Sequence, residues 1–226
     1  MCGRFTLTAG QRGELETRFG AALPIGGGLE RYNVAPTEDV LAVCGDGEGR
    51  LLRWGLIPHW AKDLRGGARM INARSETVGS KRPFSTLVAG AEGRCLVLAD
   101  GFYEWLRPED SKAARVPFRF TVDGGAPFAF AGLWTRARID GERVRSVTIL
   151  TTTPNPMVGR LHDRMPVILP DAEAEAAWLS DDVSGAEALE LCRTPLPEAR
   201  MAVVAANPAV NKPDPDAEGP HLLSAG

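Results

Sequence analysis

Short apolar runs, often β-branched and bordered by Gly or Pro, recur along the chain and predict a strand-rich fold. They place strands from Cys2 to Leu7 and over 39–44, 94–105, 116–122, 128–135, 144–153, 165–169 and 201–206. Helical spacing is confined to three stretches. Thr8 through Phe19 reads as a helix capped by Thr8, with Leu15 and Phe19 on one face. Residues 171–179 and 185–193 are rich in Ala and Glu and can turn Ala177 and Trp178, or Leu189 and Leu191, inward. Residues 24–36 form a Gly/Pro loop ending in Asn33-Val34-Ala35-Pro36. From Asn211 onward no pattern remains, so 211–226 is expected to be a mobile tail. No repeat or long linker divides the remainder, and one domain over 1–210 is the expected organisation.

A length of 226 residues with 44% hydrophobic content suffices for a single domain with a real core. The 25 glycines and 17 prolines favour turns and short elements over long helices. No run is long enough to span a bilayer, and the N-terminus lacks a charged region followed by an apolar segment. The chain is therefore expected to be soluble and cytoplasmic. Cysteines stand at 2, 44, 95 and 192, too scattered for a zinc site, and no metal or cofactor is called for. Cys44 and Cys95 lie in apolar strand runs and Cys192 in a helix, which leaves Cys2 as the cysteine with a chemical role to explain.

The net charge of −3 is unevenly spread. Residues 166–226 carry eleven acidic and three basic side chains, so the remainder is net positive. Of 26 cations, 22 are arginine, the side chain suited to forked phosphate contacts. A GC-rich coding bias raises Arg, Ala and Gly together, so charge permits a nucleic-acid partner without requiring one.

Cys2 directly follows the initiator Met1. Removal of Met1 gives one residue both an α-amine (ordinary pKa about 7.7–8.0) and a thiol (about 8.5), each partly nucleophilic near neutrality. With an aldehyde, such a 1,2-aminothiol forms an imine that the thiol closes into a five-membered thiazolidine. Three polar clusters interrupt the strands. In Trp54-Gly55-Leu56-Ile57-Pro58-His59-Trp60, the tryptophans either fill the core or make a stacking platform beside Arg53, Lys62, Arg65 and Arg69. In Met70-Ile71-Asn72-Ala73-Arg74-Ser75-Glu76-Thr77, Asn72 and Arg74 share a side if the segment is extended; alternatively, Asn72 caps a helix starting near Ala73. The third cluster is split. Glu104, between Tyr103 and Trp105, is a candidate desolvated carboxyl, and His162 lies in a polar loop among arginines.

Cys2-Gly3-Arg4-Phe5, Asn33-x-x-Pro36, Trp54-Gly55-Leu56-Ile57-Pro58, Asn72-Ala73-Arg74-Ser75-Glu76-Thr77, Gly101-Phe102-Tyr103-Glu104-Trp105 and His162-Asp163-Arg164-Met165-Pro166 occur in that order. Together they resemble the SOS response-associated peptidase (SRAP) family from Cys2 to about residue 210. The resemblance implies an α+β domain built on a curved, barrel-like, mostly antiparallel sheet with a few peripheral helices. It implies a sensor of abasic sites in single-stranded DNA that traps them covalently through Cys2, with AP-lyase activity and removal of its own Met1 as further activities. By motif match, Asn72 would hold the N-terminus or sugar, Glu104 would shuttle protons, and His162 would assist at the sugar hydroxyl and in reversal. Arg4 and Arg74 would bind phosphates, Trp54 would wall the displaced bases, and Asn33 and Pro36 would shape the pocket. The implied partner is DNA carrying abasic sites, met by a monomer with no membrane and no obligate protein partner. Two rivals remain at this point: an N-terminal-nucleophile cysteine hydrolase, and a non-covalent reader of modified bases.

Overall fold

A computed structural model of the chain describes residues 2–8, 11–24, 30–106, 115–214 and 218–225. Met1 and residues 25–29 of the expected loop lie outside the described residues, as do 215–217 and 226 of the expected tail.

The longest ladder joins β9 (Phe128–Ile139) to β10 (Glu142–Thr152) through Asp140 and Gly141, both at positive φ. A two-residue Asp-Gly turn with that geometry follows the right-handed twist of its flanking strands. β10 then pairs in parallel with β4 (Gly49–Trp54), which continues antiparallel to β3 (Asp39–Cys44), β6 (Arg94–Ala99) and back to β9. This ring of five strands is a closed barrel, with the short β11 (Met165–Pro166) and β5 (Asn72–Arg74) added along β10. Closure removes the exposed edges that an open sheet would present. The second sheet is antiparallel throughout, in the order β12 (Met201–Ala205), β8 (Val116–Val122), β7 (Gly101–Leu106), β1 (Phe5–Leu7), β2 (Arg31–Val34). Helices α1 (Arg12–Phe19), α2 (Ser75–Val78), α3 (Phe84–Val88), α4 (Pro156–Gly159), α5 (Ala172–Leu179) and α6 (Gly185–Glu190) are short and peripheral. The expected α+β architecture on a barrel-like sheet is what the structure has.

The continuous apolar run 94–105 is two strands. Asp100 breaks it, because its carboxylate accepts from Thr6 Oγ1 (2.5 Å), Thr8 N (2.5 Å) and Thr8 Oγ1 (2.7 Å). That use of Thr8 also overturns its expected capping role; α1 begins after Gln11 with no side-chain cap. Strands β2, β4 and β5 were not expected. β5 is three residues long and β2 is flanked by turn-forming sequence, so neither carries a readable alternation.

A core of aromatics lies between the two sheets. Phe5 meets Trp54 edge-on (centroids 5.2 Å apart) and Phe130 (5.7 Å), while Phe102 stacks on Phe120 at 5.0 Å. Burying a side chain such as Phe5 contributes roughly 2–3 kcal/mol. Since Phe5 is three residues from Cys2, this packing fixes where the N-terminus emerges. Beyond β4 the chain turns at Gly55 (φ 125), where a Cβ would lie 2.5 Å from the Gly67 carbonyl oxygen, so only glycine fits. The expected mobile tail is partly anchored. Val210 and Leu222 are buried with Tyr103 and Ala206, and Glu218 pairs with Arg31 and accepts from Tyr32 N at 2.6 Å. Isolated apolar residues among prolines carry no periodicity, so composition alone hid this packing. Among the described residues, no helix is long and apolar enough to cross a membrane.

Candidate functional site

β1 emerges beside β7, and the two residues ahead of it line one end of a groove of about 860 Å³. Gly3, Arg4 and Pro36 stand on one part of its wall, Ile71 and Arg74 on another; Glu104, Trp105 and the His162–Arg164 turn complete it. Cys2 is fully buried at this N-terminal end, its Sγ 3.6 Å from the carbonyl oxygen of Arg4. Burial, together with the nearby Glu104 charge, pushes its thiol well above the ordinary range.

Asn72 opens β5, which lies parallel to β10 with Asn72 opposite Ile149. The extended alternative therefore holds: helix α2 starts only at Ser75, and Asn72 does not cap it. Its Nδ2 donates to the Cys2 carbonyl at 2.7 Å. Its Oδ1 is buried and makes no hydrogen bond among the described residues. An acceptor without a donor beside Cys2 costs stability and gives an incoming amine or hydroxyl a partner.

Glu104 lies in β7 opposite Phe118 and is 2% exposed. Its placement in a strand between aromatics produces the desolvated carboxyl that the sequence suggested. His162 sits in the turn between α4 and β11, where the Asn155 side chain caps α4 through Val158 N and the His162 amide donates to the Val158 carbonyl at 3.0 Å. Its Nδ1 accepts from the Arg164 amide at 3.0 Å and lies 2.8 Å from Asp163 Oδ1. Glu104 and His162, far apart in sequence, thus line one groove. Cys2 and Asn72, bonded to each other, are not lining residues but directly adjoin the lining residues Gly3 and Ile71.

The predicted DNA contacts divide. Arg74 is exposed on the groove and its side chain forms no hydrogen bond among the described residues, leaving its guanidinium available. Pro36 lines the groove half-buried. Arg4 also lines it, but its Nη1 already donates to Asn33 Oδ1 (2.9 Å) and to the Val210 carbonyl (2.6 Å). Asn33 is buried beneath Arg4 and holds it rather than facing the groove. Trp54 requires correction. It is completely buried against Phe5, with Nε1 donating to the Ile71 carbonyl at 2.9 Å, and cannot wall displaced bases. The core-filling alternative is the one realised. The groove's aromatic is Trp105, half-buried with Nε1 donating to Asn211 Oδ1 at 2.6 Å. Trp105 adjoins Glu104 in the same motif, so adjacency was the available signal. Exposed Arg115, a further cation on the groove, follows residues with no readable pattern and had none. No group of His, Cys, Asp and Glu among the described residues is arranged to hold a metal.

Residues 1–213 match the SOS response associated peptidase (SRAP) family. The chain belongs to that family. Among SRAP relatives, it is 38% identical over 218 residues to abasic site processing protein YoqW of Bacillus subtilis, covering 94% of this chain and 95% of the relative. It is 33% identical over 171 residues to abasic site processing protein YedK of Escherichia coli, covering 74% of this chain and 71% of that one. A crystal structure of a protein from Bacteroides thetaiotaomicron superposes with a TM-score of 0.85 at 23% identity, covering 99% of this chain and 100% of the other, which establishes the shared fold.

Proposed function

We propose that this SRAP protein senses abasic sites in single-stranded DNA and, after loss of Met1, traps them as a thiazolidine through Cys2, shielding the lesion as a monomer. The observation that carries the reading is the 2.7 Å bond from Asn72 to the Cys2 carbonyl. It holds the residue bearing both nucleophiles, which directly precedes Gly3 on the wall of the groove that Glu104 and His162 share. The relatives named for abasic site processing support the substrate class.

A ring-opened abasic site presents a C1′ aldehyde. The Cys2 amine adds to it, and the resulting carbinolamine loses water to give an imine. Glu104 is the buried carboxyl closest in role to a proton carrier for both steps. Sγ then adds to the imine carbon while its proton passes to the imine nitrogen. Across the sequence, C1′–N and C1′–S bonds replace C1′=O and one water leaves. His162 serves the sugar hydroxyl and the reverse reaction. Arg4, Arg74 and Arg115 meet phosphates, and Pro36 with Trp105 meets the flanking bases. If the imine is not closed, loss of the C2′ proton expels the 3′ phosphate, which is the AP-lyase side reaction; removal of Met1 by the protein itself would be a single-turnover event.

The state of the thiol favours this reading over a cysteine hydrolase. A hydrolase needs a thiolate stabilised near neutrality, whereas in the chain still carrying Met1 burial and Glu104 push this thiol the other way. In the proposed sequence the amine attacks first and the thiol meets an activated imine, so a low thiol pKa is not required.

The direct test mixes processed protein with a single-stranded oligonucleotide containing one uracil, with and without uracil-DNA glycosylase, and resolves the products on a denaturing gel. A heat-stable shifted band that needs the glycosylase and Cys2 supports the trap. Its absence from protein shown by mass to lack Met1 overturns it, and stable crosslinking by Cys2→Ser would exclude ring closure.

A further inference from the structure

Behind the turn that carries His162 lies an ion pair with a buried arginine and a half-exposed carboxylate. Arg164, whose side chain is 10% exposed, donates through Nη1 and Nη2 to both carboxylate oxygens of Glu76 at 2.7 and 2.8 Å. The same Nη2 donates to the Thr151 carbonyl at 2.6 Å. A fork–fork pair of this kind fixes orientation as well as distance. The guanidinium also holds the Glu76 carboxyl below its usual range, so the pair is charged at neutral pH. With three bonds to the protein, the Arg164 head group is committed inward although its residue borders the groove.

The Arg164 backbone has a separate task. Its amide donates to His162 Nδ1 at 3.0 Å. An amide can only donate, so this bond requires a lone pair on Nδ1, and the neutral ring must carry its proton on Nε2. The Asp163 carboxylate, 2.8 Å from the same Nδ1, favours the opposite arrangement, with the proton on Nδ1. Nδ1 therefore sits between a donor and an acceptor that want different tautomers. Asp163 is 82% exposed, so water screens its pull. The Arg164 amide is held by the side-chain fork on one side and by the pairing of Met165 with Thr152 on the other.

We propose that Glu76 and Arg164 act as a positioning pair that sets the tautomer of His162, so that the ring meets the lesion as an Nε2–H donor. Neither side chain touches the reacting atoms; they act through the Arg164 amide. The proposal rests on the trapping reaction for its kinetic consequence, but the tautomer itself can be read without DNA.

The chain has three histidines, so histidine-selective 15N labelling gives a spectrum simple enough to assign, with His162→Gln identifying the signal of interest. Long-range 1H–15N correlation on the processed full-length protein, in alkaline buffer where imidazole is neutral, should show His162 as the Nε2–H form. In Glu76→Gln the signal should move toward a tautomer mixture. The single-turnover crosslinking rate at saturating abasic-site DNA should fall about tenfold, a fraction of what general acid–base groups contribute. Affinity for undamaged single-stranded DNA should change less than about twofold, since no phosphate contact is removed. Glu76→Asp, which keeps the charge, should restore part of the rate. Glu76 is half-exposed, so the variant should remain folded, and a thermal melt verifies this. An unchanged tautomer in Glu76→Gln would overturn the proposal and leave the pair a structural tie. A Glu76→Gln that binds undamaged DNA tenfold differently with an unchanged saturating rate would also overturn it, by placing Arg164 on phosphate. If the parent forms no crosslink at all, the trapping reading fails, while the tautomer comparison still judges the pair.

Discussion

Arg4 Nη1 donates to Asn33 Oδ1 at 2.9 Å, which joins two residues expected to contact DNA separately into one unit. Asn33 is in turn fixed by weaker bonds from its Nδ2 to the Val210 and Lys212 carbonyls, both at 3.4 Å. The groove-facing cation is thus held by a buried amide and by the C-terminal segment. Replacing Arg4 by Ala should weaken binding across DNA sequences and lower the slope of log affinity against log salt by about 1. Asn33→Ala should cost about 1–2 kcal/mol of stability, because it removes one of the two acceptors of Arg4 Nη1 and the donor to the Lys212 carbonyl, and should weaken DNA binding indirectly. Salt titrations of binding with paired denaturant melts separate the two; an unchanged salt slope in Arg4→Ala would make Arg4 a structural residue.

Asn72→Ala should be more damaging to chemistry than to folding. It removes the 2.7 Å tether on the Cys2 carbonyl and also a buried oxygen lacking a donor, and these act oppositely on stability. The expected net change is within about 1 kcal/mol, with a crosslinking rate lower by about tenfold or more from lost alignment. Single-turnover kinetics together with a melt would check both parts. A normal rate would show that Phe5 packing alone positions the N-terminus.

The contrast between the legible and hidden parts of the site follows from its construction. Glu104 and its neighbours form a contiguous strand motif, so a desolvated carboxyl could be read directly. Asn72 could not be settled from sequence. Its segment fits a capped helix equally well locally, and only parallel pairing with Ile149 and Leu150 on β10 makes it extended. Trp54 was expected on the groove in place of Trp105 for a similar reason. Both end a strand run, and whether a tryptophan faces the core depends on partners far away in sequence, here Phe5 for Trp54 and Asn211 for Trp105. The barrel's closure by β9 and β10 likewise rests on register that periodicity cannot report.

Stability should fall at alkaline pH. Burial pushes the Cys44 thiol up to about 11 from an ordinary 9.0, with Arg50 partly opposing the shift. The folded state therefore favours the neutral thiol. That contribution is fully present below about pH 9 and is lost as pH rises from there toward 11. Two units correspond to about 3 kcal/mol at most. Urea melts at pH 8 and pH 10.5 should show a smaller loss for Cys44→Ala than for the parent, after correction for the cavity cost common to both pH values. Equal losses would assign the alkaline instability to other groups.

Trp54 and Trp105 should respond oppositely to truncation. Trp54→Ala empties a site walled by Phe5 and removes one of the two donors to the Ile71 carbonyl, so it should cost about 3–5 kcal/mol of stability. Folded protein that survives at low temperature should bind undamaged single-stranded DNA nearly as well as the parent. Trp105→Ala should leave stability within about 1–2 kcal/mol, because the side chain is half-buried and loses one bond to Asn211. Its DNA affinity should fall by about 1–3 kcal/mol, the usual worth of a base stacked on an aromatic. Fluorescence anisotropy with a short single strand, run beside denaturant melts, reads both quantities. Normal affinity in Trp105→Ala would remove base stacking from the groove and leave phosphate contacts at Arg4, Arg74 and Arg115 as the basis of binding.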